Sequence, residues 1–142
     1  MIEVSQLAKS YGLAKALKGI SFEVKRGDVL GFLGPNGAGK STTMKILTGY
    51  LLPTGGKASI DGLDVVDRSL EVRRRIGYLP ESTPLYSEML VADYLRFTAE
   101  IRGVPGSGLR SAVERVVETC GLGLVTGKSI IELSKGYKQR VG

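Results

Sequence analysis

The chain has 142 residues, a length typical of one domain, and its 42% apolar and 24% charged residues suit a buried core under a polar surface. Its net charge of +6 favours an anionic partner, such as nucleic acid, a phosphate ligand or an acidic membrane surface. One cysteine and no histidine exclude an internal disulfide, a histidine-based catalytic triad and a histidine metal site. No apolar run approaches transmembrane or signal-peptide length, and we expect a soluble chain.

The first half of the chain is predicted to be rich in β-strands. Alternating apolar and polar residues predict strands over residues 2–7 and 20–24, and an apolar run predicts a buried strand over residues 29–33. The Arg-Gly-Asp tripeptide between the last two is interpreted as a hairpin turn rather than an adhesion motif. The elements predicted next are a helix from residue 40 to about 50, a strand at 57–60, a helix at 69–75 and a strand at 76–80.

The second half of the chain is predicted to be helical. Apolar residues recur on one helical face over residues 90–101 and again over residues 109–120, with a proline-containing loop at 103–108 between them. We therefore expect a β-rich part over residues 1–83 and a helical insert over residues 84–142.

The densest basic run, Arg73-Arg74-Arg75, belongs to the second predicted helix and follows Glu71. No aromatic residues interleave with these arginines, which favours a solvated helix face over a nucleic-acid patch.

A glycine-rich segment at residues 34–41, Gly-Pro-Asn-Gly-Ala-Gly-Lys-Ser, fits the phosphate-loop pattern G-x-x-x-x-G-K-[ST]. The glycines let the backbone curl so that N–H groups point at phosphate oxygens, and the next helix adds its positive end. We expect Lys40 to reach the outer phosphates, Ser41 to ligate magnesium and Thr42 to donate to an inner phosphate. A preceding apolar strand and a following helix favour this interpretation over a simple glycine-rich turn. The candidate nucleotide-binding residues of the loop are Gly34, Asn36, Gly37, Ala38, Gly39, Lys40, Ser41 and Thr42.

A second motif, Leu-Ser-Lys-Gly-Tyr-Lys-Gln-Arg, occupies residues 133–140 and begins a predicted helix. Ser134 suits a helix cap, and its hydroxyl with the first N–H groups suits an anion site. With the phosphate loop before it, this motif resembles the signature of ABC-type ATPases, and the whole chain resembles their nucleotide-binding domain. The resemblance implies that Ser134, Gly136 and Gln139 face ATP held by a second copy, in a head-to-tail dimer that shares two ATP molecules.

Two further residues take expected roles from this resemblance. Tyr11 lies upstream of the phosphate loop, where the family has an aromatic residue stacked on adenine; the alternative is an ordinary surface tyrosine. Glu81 stands where the family usually has a glutamine that senses magnesium and the transporter, a departure that resembles a branch of drug, sodium and gliding-motility exporters. A carboxylate at position 81 could still ligate Mg²⁺.

The family normally continues with a strand ending in Asp-Glu and with a histidine that senses the γ-phosphate, and neither occurs in residues 1–142. We therefore expect an N-terminal fragment of an ABC ATPase, with an α/β P-loop fold that stops after the signature motif. No catalytic residue is assigned within it, and the chain alone is expected not to hydrolyse ATP.

The resemblance implies that the chain belongs to the ATP-driven subunit of a membrane transporter and binds ATP and Mg²⁺. Among transporters, an exporter is favoured. The helical insert of the chain and the region of Glu81 would contact membrane-spanning subunits at the inner face of the cell membrane, and nucleic acid is not an expected partner. Two alternatives stay open: a non-transport ABC ATPase of translation or repair, and a module that binds nucleotide without hydrolysing it.

Overall fold

The computed structural model describes all 142 residues and divides into two units, residues 1–78 and 79–142. The first unit contains β1 (Ile2–Tyr11), β2 (Ala14–Val24), α1 (Lys40–Leu47), β3 (Gly55–Ile60), β4 (Leu63–Asp64) and α2 (Ser69–Arg75). The second contains α3 (Val91–Ile101), α4 (Gly106–Thr119) and α5 (Lys135–Val141), with short 3-10 turns at Gly123–Val125 and Ile130–Glu132.

The four strands of the first unit form one antiparallel sheet in the order β2-β1-β3-β4. The central strand β1 pairs with both neighbours, so that Ile2 lies opposite Val24 on one side and Ile60 on the other. A bulge interrupts β1 at Gln6, which has a φ of 49° and whose backbone and side-chain nitrogens both donate hydrogen bonds to Ser21 Oγ, at 2.8 and 3.1 Å. The predicted strands over residues 2–7, 20–24 and 57–60 are confirmed, and each extends further than the sequence indicated.

One face of this sheet packs against α1 and α2. The helices contribute Ile46, Leu47 and Val72 to the apolar core, and the strands and the turn after β4 contribute Val4, Leu7, Leu17, Ala58, Ile60 and Val65. The amphipathic spacing of α1 thus attaches the helix that follows the phosphate loop to the sheet.

The predicted strands over residues 29–33 and 76–80 are wrong for this structure. Both segments are irregular, and no strand within residues 1–142 pairs with either. Val29 and Leu33 are 99% and 95% exposed, although Phe32 packs edge-on against Phe22, with ring centroids 5.1 Å apart. A strand is stable only where a neighbour takes its backbone hydrogen bonds, and here that neighbour is lacking. The Arg-Gly-Asp tripeptide accordingly lies in a turn, closed by a hydrogen bond from Asp28 N to Lys25 O, and not in a hairpin.

The second unit is helical, as predicted, and has its own apolar core. Helix α3 begins one residue after the predicted start, and α4 begins at Gly106, which shortens the predicted loop at 103–108. The core residues are Val91, Leu95, Leu122, Val125, Ile130, Leu133 and Val141. No helix of the structure is both long enough and apolar enough to cross a membrane.

Candidate functional site: the phosphate loop and the signature helix

The phosphate loop curls tightly just before α1. Gly37 and Gly39 have φ angles of 84° and 88°, in the left-handed region that favours glycine, and Ala38 N donates to Pro35 O at 3.2 Å. Gly39 is the residue that precedes α1, so the loop leads directly into the positive end of an eight-residue helix. A tight glycine turn that opens a helix is the backbone arrangement in which anions are commonly bound.

The side chain of Lys40 folds back over this loop. Its Nζ donates hydrogen bonds to the carbonyl oxygens of Gly34 and Pro35, at 2.6 and 2.8 Å. The ammonium group therefore lies at the centre of the curl, where phosphate oxygens can replace the two carbonyl acceptors. Thr43, which lies outside the phosphate-loop motif, is buried and closes the turn, since its N and Oγ1 both donate to Gly39 O.

A close contact attaches the loop to the sheet. A Cβ atom added at Gly39 would overlap the Cδ2 atom of Leu17 and would lie 2.7 Å from the carbonyl oxygen of Ala16. Only glycine therefore fits between the loop and β2, and the β1–β2 hairpin is packed against the phosphate loop. No local pattern predicts this contact, because 22 positions separate Leu17 and Gly39 along the chain.

The first turn of α1 presents hydroxyl groups beside Lys40. Ser41 is exposed and Thr42 is half-buried. A serine hydroxyl is a hard oxygen donor of the kind that Mg²⁺ accepts together with phosphate oxygens and water, so Ser41 fits the role expected of a magnesium ligand. No group of three or more acidic, histidine or cysteine side chains lies together in the structure.

Tyr11 belongs to the same unit as the loop. It is the last residue of β1, pairs with Ala14 across the hairpin and is 51% exposed. The Nζ atom of Lys9 lies 5.4 Å from the centroid of its ring. An exposed ring at the end of the hairpin that packs on the phosphate loop is suitable for stacking on a nucleotide base.

The signature motif lies in the second unit and caps α5. Ser134 precedes the helix, and its Oγ accepts a 3.4 Å hydrogen bond from Tyr137 N. Leu133 is buried in the core of that unit, whereas Ser134, Gly136 and Gln139 are exposed. The predicted helix cap at Ser134 is confirmed, and the three residues expected to face a partner's ATP are open to solvent.

The turn before the signature is held by reciprocal hydrogen bonds. Ser129 and Glu132 form a capping box, in which Ser129 N donates to Glu132 Oε2 at 3.0 Å. The Oγ of Ser129 also donates to Ser87 O at 3.0 Å, and Lys138 Nζ donates to Ile131 O at 3.1 Å. The backbone leading to Ser134 is therefore fixed on both sides. Glu81 lies earlier in this unit, in an irregular segment, and its carboxylate is exposed.

A phosphate loop that opens a helix, followed in the same chain by a capped Leu-Ser-Lys-Gly helix, defines a nucleotide-binding protein of the ABC class. The family model described as "ABC transporter" matches residues 17–142, and the chain belongs to this family.

The curated relatives are ATP-binding proteins of transporters. The chain is 38% identical over 141 residues to the "Probable multidrug ABC transporter ATP-binding protein YbhF" of Escherichia coli (strain K12). This match covers 99% of this chain and 24% of that protein. The chain is also 37% identical over 142 residues to the "Bacitracin transport ATP-binding protein BcrA" of Bacillus licheniformis. That match covers 100% of this chain and 45% of that protein. The chain thus spans a quarter to about half of the length of these two relatives.

A solved structure described as "Structure of ATP binding subunit of ABC transporter" has the same fold. Its TM-score is 0.88 at 32% identity, and the match covers 99% of this chain and 59% of that one. The α/β P-loop fold expected from the sequence is confirmed.

Proposed function

We propose that this chain is the nucleotide-binding part of the ATP-driven subunit of a membrane exporter. The observation that carries the proposal is the position of Lys40, whose ammonium group lies inside the curl of the phosphate loop, 2.6 and 2.8 Å from two carbonyl oxygens. ATP would bind with its phosphates in this curl, with Tyr11 stacked on adenine and with Mg²⁺ ligated by Ser41. Relatives named for multidrug and bacitracin transport support a transporter subunit.

The remaining steps involve a second copy of the protein. Ser134, Gly136 and Gln139 would complete the ATP site of a partner subunit in a head-to-tail dimer, and their exposure in the second unit supports this role. Fixation of the preceding turn by Ser129 and Glu132 would hold Ser134 in place for it.

An apolar stripe on α3 supports a protein partner rather than nucleic acid. Phe97 and Ile101 are exposed and lie one turn apart, and Tyr94 is three residues before Phe97. The ring of Tyr86 contacts both aromatic residues, with centroid separations of 6.3 Å to Tyr94 and 5.6 Å to Phe97. Exposed aromatic residues in contact are typical of docking surfaces.

The charges beside this stripe agree with a membrane-protein partner. Asp93 and Glu100 lie four residues before and three residues after Phe97, and both are exposed. Arg96 lies one helical turn from each of them, so charges of both signs border the stripe, and the two carboxylates can pair with lysine and arginine, which are enriched in the cytoplasmic loops of membrane proteins. We place the protein at the inner face of the cell membrane, bound to membrane-spanning subunits through this stripe.

The test of nucleotide binding is Lys40→Ala in the intact protein. We expect at least tenfold weaker binding of a ribose-labelled fluorescent ATP, equivalent to about 1.4 kcal/mol, because the ammonium group inside the curl is removed. The matched control is Lys45→Ala, which removes an exposed lysine from the last turn of the same helix. Equal affinities of the Lys40→Ala and Lys45→Ala variants would rule out the assignment.

The test of the membrane partner is Phe97→Asp in cells. We expect the variant to leave the membrane fraction while its affinity for ATP is unchanged, because a buried carboxylate at the stripe weakens docking. Leu124→Asp, at an apolar residue that is 89% exposed in the same unit, is the control. Co-purification with ribosomes or DNA in place of membrane proteins would support the non-transport alternative.

A further inference from the structure

Lys9 is held in a fixed position beside Tyr11. Its Nζ donates a 2.7 Å hydrogen bond to Leu52 O and lies 5.4 Å from the centroid of the Tyr11 ring. Ammonium groups within about 6 Å of an aromatic centroid are attracted to the face of the ring. Because the carbonyl of Leu52 fixes the ammonium group, one face of Tyr11 is covered and the motion of the ring is restricted.

The register of the hairpin connects this pair to the phosphate loop. Lys9 lies opposite Leu17 in the β1–β2 ladder, and the side chain of Leu17 packs against Gly39. The backbone after Lys9 is also tied to the segment that follows α1, since Ser10 N donates to Thr54 Oγ1 at 3.1 Å. The strand that carries Lys9 and Tyr11 is therefore attached to the phosphate loop through Leu17 and to the segment after α1 through Thr54.

We propose that Lys9 is a positioning residue for the adenine base, which it never touches. Its ammonium group occupies one face of Tyr11 and leaves the other face for the base. A ring that is already oriented loses less conformational freedom when the base binds, and the affinity for nucleotide rises accordingly. The inference rests on the proposed function, in which Tyr11 stacks on adenine.

A direct role in phosphate binding is the competing explanation, because Lys9 is a cation in the same unit as the loop. The two roles predict different ligand dependence. A residue that binds phosphate directly should contribute equally to the affinity for ATP and to the affinity for inorganic tripolyphosphate, which lacks a base. A residue that orients Tyr11 contributes to ATP alone.

The experiment replaces Lys9 with methionine in the intact protein, which removes the charge and keeps the length of the side chain. Displacement of a ribose-labelled ATP measures the affinities for unlabelled Mg-ATP and for Mg-tripolyphosphate. The control is Lys18→Met, at an exposed lysine on β2 opposite Ala8. We expect Lys9→Met to weaken ATP binding about two- to fivefold, the magnitude of an exposed cation–π contact, and to leave tripolyphosphate binding unchanged. Lys9→Arg, which retains a cation and a donor, should restore the affinity for ATP.

A double-mutant cycle with Tyr11→Ala isolates the coupling between the two residues. In the Tyr11→Ala background, Lys9→Met should have no further effect on ATP. Unchanged ATP affinity in Lys9→Met, equal losses for ATP and tripolyphosphate, or a full effect without the Tyr11 ring would each overturn the inference while nucleotide binding at Lys40 stands. If Tyr11→Ala alone leaves ATP affinity unchanged, adenine stacking in the proposed function fails first, and the role of Lys9 fails with it.

Discussion

Replacing Gly39 with alanine tests whether the hairpin supports the phosphate loop. Gly39 has a φ of 88°, and a left-handed backbone costs an alanine about 1–2 kcal/mol. The added Cβ would also overlap Leu17 and approach Ala16 O to 2.7 Å, and overpacking of this kind costs about 1–3 kcal/mol. The expected loss of unfolding free energy is therefore about 2–5 kcal/mol, out of the total of about 5–15 kcal/mol that is typical of a folded domain.

The matched control is Gly37→Ala in the same loop. Gly37 has a similar φ of 84°, but a Cβ atom there would meet nothing within 4 Å, so this variant should lose only the backbone contribution of about 1–2 kcal/mol. Urea unfolding of the intact protein without nucleotide measures both. With a slope of about 2 kcal/mol per M, the midpoint of Gly39→Ala should lie about 1 M below that of Gly37→Ala. Equal midpoints would refute the close packing of Leu17 against the loop.

Three further predictions concern hydrolysis, self-association and one ion pair. A polypeptide of residues 1–142 should release phosphate from ATP only at the background rate, because it has no acidic residue after the signature and no histidine. Ser134→Ala should not change this rate, and steady turnover in a preparation free of contaminating ATPases would contradict the prediction. The same polypeptide should self-associate in sedimentation experiments through its exposed segment 29–33, whereas a monodisperse monomer with a cooperative, concentration-independent melt would show that this segment needs no cover. The pKa of the Asp61 carboxyl group is lowered mainly by the N-terminal ammonium group, which donates a hydrogen bond to it at 2.7 Å, and to a smaller extent by Arg75. The contribution of the Asp61 carboxylate to stability is present above the ordinary aspartate pKa and is lost as the pH falls through the lowered pKa. The difference in melting temperature between wild type and Asp61→Asn should therefore shrink in acid, and a constant difference would contradict the ion pair.

Local patterns were enough to predict the elements that carry the chemistry. The phosphate loop, the helix after it and the cap at Ser134 depend on contacts within a few residues, and the structure has all three, although α1 ends at Leu47 rather than at about residue 50. The same holds for α2, whose observed bounds match the predicted ones. In each case the structure depends on glycine conformation, helix capping or helical periodicity, which act between residues close together in the sequence.

The two predicted strands that failed depend on partners that a local pattern does not supply. Residues 29–33 have the apolar composition of a buried strand, but hydrogen bonds to a neighbouring strand, not composition, make a segment a strand. Within residues 1–142 no such neighbour exists, and Val29 and Leu33 remain exposed.

The sequence by itself determined the candidate phosphate-binding residues, because the motif needs only glycines, a lysine and a hydroxyl at fixed spacing. Only the tertiary structure decided what supports that loop. Leu17 reaches Gly39, and Lys9 covers Tyr11, through the antiparallel register of β1 and β2. Such contacts join side chains whose positions are set by strand pairing and by the core beneath the sheet, so no short stretch of sequence specifies them.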